Sequence, residues 1–322
     1  MVIGIVGGGA SGMAAAIAAS EQPGAEVIVF ERQARVGRKL QATGNGRCNL
    51  TNLHAAGDSY HGADGRFAAA ALAAMPVEKT LDWFGRLGLY TTAESSGRVY
   101  PYSDQANSVV DVLRFALNRE NIQLLTGWEV RKIQPTGSGF RVEGAEESRF
   151  CHRVIVACGG LAGTKLGGSD SGYRLLRAMG HPVTPLRPAL VQMKSDWRGC
   201  AALKGVRANC RAEIYRGDRR LRSGTGELQF TQYGLSGPVI FEISRDVCQE
   251  DGSWRCVLDF LPDMSAQALT EALCRRRDTP LPSEELFTGI LHTRLGRVRT
   301  AEAGIRGNRP IRALPDGQIA DA

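Results

Sequence analysis

The sequence predicts an α/β chain built on a parallel sheet of the doubly wound type, followed by an antiparallel β-rich region and a short helical one. Three observations carry this. Val2-Ile3-Gly4-Ile5-Val6 is a short β-branched apolar run, the mark of a strand buried on both faces. An Ala-rich, helix-forming stretch from Met13 to Ser20 separates it from a second run, Glu26-Val27-Ile28-Val29-Phe30. From about Thr184 the texture changes to short alternating runs divided by turn residues.

The junction between the first strand and the helix reads Gly7-Gly8-Gly9-Ala10-Ser11-Gly12, with the spacing G-x-G-x-x-G, and Glu31 closes the second strand 19 positions after Gly12. Gly7 permits the tight turn, Gly9 keeps side-chain atoms away from a pyrophosphate, and Gly12 lets helix and strand pack closely. The helix start offers unpaired amides and a partial positive charge to phosphates. The dipole alone contributes only about 0.3–1 kcal/mol per charge, so converging N–H groups must supply the rest. Glu31 accepts hydrogen bonds from two ribose hydroxyls and repels a 2′-phosphate. A glycine turn that binds nothing needs none of this context; here strand, helix, second strand and acid all fall where a dinucleotide site requires them.

Next comes a loop dense in Gly, Asn and cations: Arg35-Val36-Gly37-Arg38-Lys39-Leu40, then Thr43-Gly44-Asn45-Gly46-Arg47-Cys48-Asn49-Leu50-Thr51-Asn52. Gly and Asn tolerate positive φ and turn successive amides toward an anion or ring edge. Placement directly after the ribose-binding strand favours that role over a plain turn.

Residues 66–88 read as helical, with Pro76 opening a second helix that places Leu81, Phe84 and Leu87 on one face. Gly97 to Tyr102 is extended, Ser108 to Arg119 an amphipathic helix, and Ile122 to Leu125 a sheet strand. Trp128 to Gln134, which includes Val130, and Gly139 to Glu143 flank a turn and suggest an antiparallel meander at about 127–150. Arg153 to Ala157 is a buried strand running into Cys158-Gly159-Gly160, where backbone can approach a cofactor from the far side. A helix follows to about Gly180.

Beyond Thr184, Val191 to Lys194, Val206 to Tyr215 and Glu227 to Thr231 read as strands, and Pro238 opens a helix after Gly234-Leu235-Ser236-Gly237. Trp254 to Leu261 is a strand, and two helical stretches between Ser265 and Leu295 are divided by Thr279-Pro280-Leu281-Pro282. The tail from Arg306 is rich in Gly, Pro and charge.

With 322 residues and 43% hydrophobic content the chain can bury a core of two domains, or of one with an insertion. The net charge of +7 lacks an accompanying aromatic-rich nucleic-acid motif, so it reads as solvated basic surface rather than a nucleic-acid footprint. None of the 8 cysteines has C-x-x-C spacing and the 5 histidines are ungrouped, which gives no metal site and points to reduced thiols of a cytoplasmic protein. No stretch approaches the ~18 apolar residues of a membrane span, and the apolar N-terminus lacks the basic region of a signal peptide.

Several segments recur in order in one group: Gly7–Gly12 with Glu31, Val36 to Lys39, Gly44 to Asn52, Val154 to Gly160, and Phe230-Thr231-Gln232-Tyr233-Gly234-Leu235-Ser236-Gly237-Pro238. The chain resembles, over essentially its whole length, the BaiN/YhiN-type flavoproteins, also labelled NAD(P)/FAD-dependent or aminoacetone-oxidase-like oxidoreductases. The runs from Gly44 and from Phe230 are the distinctive ones. The resemblance implies a Rossmann-type FAD-binding domain (1–188), an inserted antiparallel β-barrel-like domain (189–262), and a helical subdomain with the tail (263–322). It implies FAD contacts from Gly7, Gly9, Ala10, Ser11 and Gly12 on the phosphates, and Glu31 with Arg32 at the ribose. It places Arg38, Lys39, Gly44, Asn45, Gly46, Arg47, Cys48 and Asn49 along the pyrophosphate toward the flavin, Val130 at the adenine, and Ala157, Gly159 and Gly160 over the cofactor. Such proteins continue for about 90 residues, within the size of a half-domain, with a helix start beside the isoalloxazine. The sequence reaches Ala322 without that pattern, and nothing else in it evidently stabilises negative charge at the flavin pyrimidine edge.

The expected function is therefore a cytoplasmic FAD-dependent oxidoreductase that acts on a small molecule by hydride transfer through flavin N5, with NADH or NADPH as reductant. Neither Cys48 nor Tyr100 nor Tyr102 is assigned a catalytic role. Two rivals differ in kind: an NAD-dependent dehydrogenase using the first site, and a non-catalytic, flavoprotein-derived RNA-associated binder with steeply salt-dependent affinity.

Overall fold

The structure, a computed structural model, describes residues 1–62, 64, 66–249 and 252–320. Asp321 and Ala322, at the end of the expected tail, lie outside the described residues. The chain divides into two compact units, Met1–Thr184 and Pro185–Ala322.

The first unit begins with β1 (Val2–Val6), α1 (Ala10–Ser20), β2 (Glu26–Glu31) and β3 (Thr51–Asn52), then α2 (Ala69–Ala74) and α3 (Val77–Arg86). It continues through β4 (Thr91–Ala93), β5 (Arg98–Pro101), α4 (Ala106–Ala116), β6 (Ile122–Thr126), β7 (Lys132–Pro135), β8 (Phe140–Glu143), β9 (Ser148–Cys151), β10 (Arg153–Val156) and α5 (Ser171–Ala178). Four strands make a parallel sheet in the order β10-β1-β2-β6.

Alternation along these strands feeds two separate cores. Ile3, Ile5, Val27 and Val29 join Met13, Ile17, Val109 and Leu113 of α1 and α4 on one face. Val6 and Phe30, with Ile28 and Val154, pack with Ile133, Val142 and Cys151 of the meander and Leu175 of α5 on the other. Both faces are thus covered at the central strands β1 and β2, as a parallel sheet requires; β10, expected to be buried, is instead an edge strand on which Ile155 is 41% exposed. Fully burying a side chain such as Ile5 or Phe30 contributes roughly 1.5–3 kcal/mol, and both are at most 1% exposed.

The meander has three antiparallel strands, β7-β8-β9; β9, whose sequence Ser-Arg-Phe-Cys carries little strand signal, was not expected. Val130 does not sit on a strand from Trp128, because that strand begins at Lys132. The Gly127 and Trp128 amides instead donate to the Gln33 and Glu31 carbonyls (3.0 and 2.9 Å), which holds this segment alongside the end of β2. A further small sheet, β3-β5-β4, pins the segment after the Gly/Asn loop.

The second unit contains β11 (Met193–Lys194), α6 (Gly199–Ala202), β12 (Arg207–Arg216), β13 (Arg219–Thr231), β14 (Gly234–Ser236), α7 (Pro238–Gln249) and β15 (Arg255–Asp259). They form an antiparallel sheet in the order β11-β14-β13-β12-β15, with α7 packed on β12 and β13 through Val239, Ile240 and Ile243. The helices α8 (Ala266–Cys274), α9 (Thr293–Glu302) and α10 (Asp316–Ala320) follow. A second core of Leu273, Leu286, Phe287, Ile305, Ile311 and Ile319 gathers these segments. The second helical stretch expected before Leu295 is instead irregular up to Thr293, where α9 starts. Gly296 and Thr300 are on its buried face, so it lacks the apolar periodicity that announces a helix. Among the described residues no helix is long and apolar enough to cross a membrane.

Candidate functional site

Where β1, β2 and β10 end, a cavity of about 470 Å³ opens in the first unit, at the carboxyl edge where parallel sheets of this kind bind ligands. Of the residues the sequence pointed to, Gly7, Gly9, Ala10, Ser11, Glu31, Arg32, Arg38, Lys39, Cys48, Asn49, Val130, Ala157 and Gly159 line it. Gly12, Gly44, Asn45, Gly46, Arg47 and Gly160 do not.

The three motif glycines are required for different reasons. Gly7 has φ +110°, and a Cβ there would lie 2.6 Å from the Cys158 Cα. At Gly12 a Cβ would meet the Gly7 carbonyl oxygen at 1.8 Å. Gly9 has ordinary extended φ (−79°), and a Cβ there would meet nothing within 4 Å. The fold therefore needs glycine at positions 7 and 12 but not at 9, where its absent side chain leaves room beside the helix start. That start carries no side-chain cap and no acidic residue in its first turn. The first intrahelical amide is that of Met13, donating to the Gly9 carbonyl (2.9 Å), which leaves the Ala10 and Ser11 amides free for an anion.

Glu31 is 9% exposed and held from both sides. Its Oε2 accepts from the Gly8 amide (2.6 Å) and its Oε1 from the Gln33 amide (2.7 Å). Each carboxylate oxygen keeps a lone pair for a further donor. Arg38 donates to Gln33 Oε1 (2.9 Å), Lys39 Nζ to the Ala162 carbonyl (3.2 Å), and Arg32 to the Gly167 carbonyl. These contacts fix three cations at the rim without neutralising them. Ser11 Oγ donates to the Ala157 carbonyl (3.4 Å), joining α1 to the end of β10.

The Gly/Asn loop folds on itself. Gly44, Asn45, Gly46 and Cys48 all have positive φ, and a Cβ on Gly44 would lie 2.6 Å from the Asn49 amide nitrogen. Arg47 turns away from the cavity: it pairs with Glu94 (2.9 Å) and Asp104 and lies 3.8 Å over the Tyr100 ring. Its hydrogen bonds to Asp104 and Glu94 raise its pKa further above the ordinary value. Gly160 is not among the lining residues, and a Cβ there would meet the Tyr173 hydroxyl at 2.3 Å. Burial pushes the Cys48 and Cys158 thiols up, against smaller opposing effects that include hydrogen bonds with Thr43 and Ser171. Neither is a ready nucleophile.

Sequence reasoning missed Gly8, Gln33 and Trp128, which also line the cavity. Gly8 lay inside the motif, and Gln33 two residues past the acid, but only the fold shows that their amides hold Glu31. Trp83, Phe84, Val109 and Leu113 from α3 and α4 form an apolar wall, so the cavity is polar beside Glu31 and apolar beside these helices.

Residues 1–305 match the family described as HI0933-like protein Rossmann domain. The chain is 40% identical over 326 residues to 3-dehydro-bile acid delta(4,6)-reductase of Clostridium scindens, covering 99% of this chain and 79% of that protein. It is 29% identical over 243 residues to the ribosomal RNA dihydrouridine synthase of Escherichia coli, covering 74% and 59% respectively. A solved structure of Escherichia coli quinol fumarate reductase FrdA aligns with a TM-score of 0.44 and 16% identity, over 65% of this chain and 43% of that one.

Proposed function

Because the chain belongs to the HI0933-like Rossmann family of flavin-dependent oxidoreductases, we propose that its first unit holds FAD in the 470 Å³ cavity and that NADH or NADPH supplies the electrons. The substrate is a small molecule with a carbon–carbon double bond conjugated to a carbonyl. The names of the bile-acid reductase and the dihydrouridine synthase both describe hydrogen added across such a bond.

One observation carries the cofactor reading: the open space at Gly9, a glycine the backbone does not need, beside two free helix-start amides. A diphosphate fits that combination. The remaining lining supports the same orientation. The free lone pairs of Glu31 accept ribose hydroxyls, and its charge disfavours a 2′-phosphate. Val130 and Trp128 border the adenine end, Arg38 and Lys39 offset phosphate charge, and Gly159 brings backbone close to the ring system. When bound, FAD would supply the hydride-transfer chemistry, and a proton would complete the saturated product. The chain's own residues bind and orient the cofactor and exclude water; no proton donor is assigned.

The test is anaerobic. Purified protein is reduced with NADH or NADPH and then offered a 3-oxo-4-ene steroid. Bleaching of a flavin spectrum, its return on adding the steroid, and a product heavier by two hydrogens support the reading. A colourless protein that binds NADH overturns it.

A further inference from the structure

Arg32, Arg38 and Lys39 line the cavity of the first unit, and among the described residues none of them pairs with a carboxylate. Their acceptors are neutral: the Gly167 carbonyl, Gln33 Oε1 (2.9 Å) and the Ala162 carbonyl (3.2 Å) respectively. Arg47, outside the lining, is the contrast, since Glu94 and Asp104 both hold it. A carboxylate partner cancels the charge of a guanidinium toward its surroundings. An amide oxygen fixes the group and leaves its charge for a ligand. Of these neutral acceptors only that of Arg38 belongs to a side chain.

Gln33 is anchored well enough to aim that cation. Its amide donates to Glu31 Oε1 (2.7 Å), and its carbonyl accepts from the Gly127 amide (3.0 Å). The base of Arg38 is fixed as well, because the preceding Gly37 amide donates to the Gly8 carbonyl (2.9 Å) in the glycine turn. Two anchored backbones therefore meet through one side-chain hydrogen bond at the cavity wall. Arg38 is otherwise exposed, and a long exposed side chain loses much rotamer freedom when a ligand orders it. A hydrogen bond formed beforehand reduces that loss. A glutamate would match Gln33 in shape and hold Arg38 more strongly. It would also cancel the charge and set a second carboxylate two residues from Glu31.

We infer that Gln33 is a positioning residue of the anion subsite: its side-chain amide holds the Arg38 guanidinium toward a bound diphosphate without cancelling its charge. The inference rests on the proposed FAD reading. It assigns affinity for the diphosphate, rather than for the ribose or the flavin ring, to this pair.

The test titrates flavin-free whole protein with ADP and with adenosine by calorimetry, and with FAD by flavin fluorescence. Gln33→Leu should bind ADP and FAD about threefold or more weakly, the scale of one exposed charge set loose. Gln33→Glu should lose about tenfold or more, because its carboxylate both cancels Arg38 and repels phosphate. Adenosine, which has no phosphate, should lose less than about twofold in either variant. With Arg38 replaced by Ala, Gln33→Leu should have no further effect, the non-additivity expected of two residues acting as a pair. Melting midpoints without ligand should match the parent in both Gln33 variants, because the backbone hydrogen bonds remain. Unchanged ADP affinity in both Gln33 variants, equal losses for ADP and adenosine, additive losses in the double variant, or a midpoint that falls in step with ADP affinity would each overturn the inference and leave the cofactor reading intact. The expected ADP pattern in a protein that takes up no FAD would overturn the cofactor reading alone. Failure of the unmodified protein to bind either ligand would overturn both.

Discussion

The Gly8 amide donates to Glu31 Oε2 at 2.6 Å across 23 residues of sequence, so the acid at the end of β2 fastens the glycine turn at the end of β1. One carboxylate thus fastens the glycine turn from both sides, and in the proposed FAD site it also presents acceptors to the ribose. Glu31→Ala removes the acceptor for both the Gly8 and Gln33 amides. A buried donor left unpaired costs about 1–3 kcal/mol, so the urea midpoint should fall by a comparable stability loss, together with flavin affinity. An unchanged midpoint would contradict the role given to this pair.

Gly12→Ala and Gly9→Val should part company. A Cβ at position 12 collides with the Gly7 carbonyl at 1.8 Å, so that variant should lose several kcal/mol of stability, on the order expected for overpacking against backbone, and little of it should fold. At position 9 nothing lies within 4 Å, so Gly9→Val should keep its thermal midpoint without ligand while losing the cofactor. Circular dichroism melts of both variants check the contrast.

These glycines were legible in the sequence because their spacing reflects backbone geometry, which a few adjacent residues determine. The central strands β1 and β2 were legible for a related reason: β-branched runs buried on both faces have no polar alternative. What escaped depends on distant partners. Arg47 does not line the cavity, because it is engaged with Glu94 and Asp104, 47 and 57 positions away. The start of β7 moved because Gly127 and Trp128 follow β2, and α9 was hidden because Gly296 packs against Phe287 with no apolar stripe to announce it. The apolar wall from Trp83 to Leu113 was visible as helix faces, but not as a cavity lining.

Arg47→Ala is accordingly expected to retain flavin at the level of the unmodified protein, because Arg47 is engaged with Glu94, Asp104 and Tyr100 outside the cavity. Lys39→Ala, which removes a cation from the lining, should lower retention. Flavin absorbance per protein after gel filtration separates the two. Equal losses would place Arg47 back at the cofactor.

Burial holds the Cys151 and Cys256 thiols at about 11 and Cys210 at about 12, against an ordinary value of 9.0. Below 9 both folded and unfolded chains are protonated at these sites, and their contribution to stability is fully present. As pH rises from about 9 toward 11–12 the unfolded thiols ionise first, so the folded state should lose stability across that window. Denaturation midpoints at pH 8, 9.5 and 10.5 should fall in that order, and iodoacetamide at pH 8 should spare these three thiols until the protein is unfolded. Rapid native alkylation of Cys210 would contradict this.

In the proposed FAD site the amino-terminal strand, turn and helix grip the diphosphate. The most direct measurement is the flavin released on denaturing purified protein and its Gly9→Val variant, quantified per chain by absorbance. Near-stoichiometric FAD in the parent and none in an otherwise folded variant is the predicted result; equal flavin in both, or none in the parent after incubation with FAD, would contradict it.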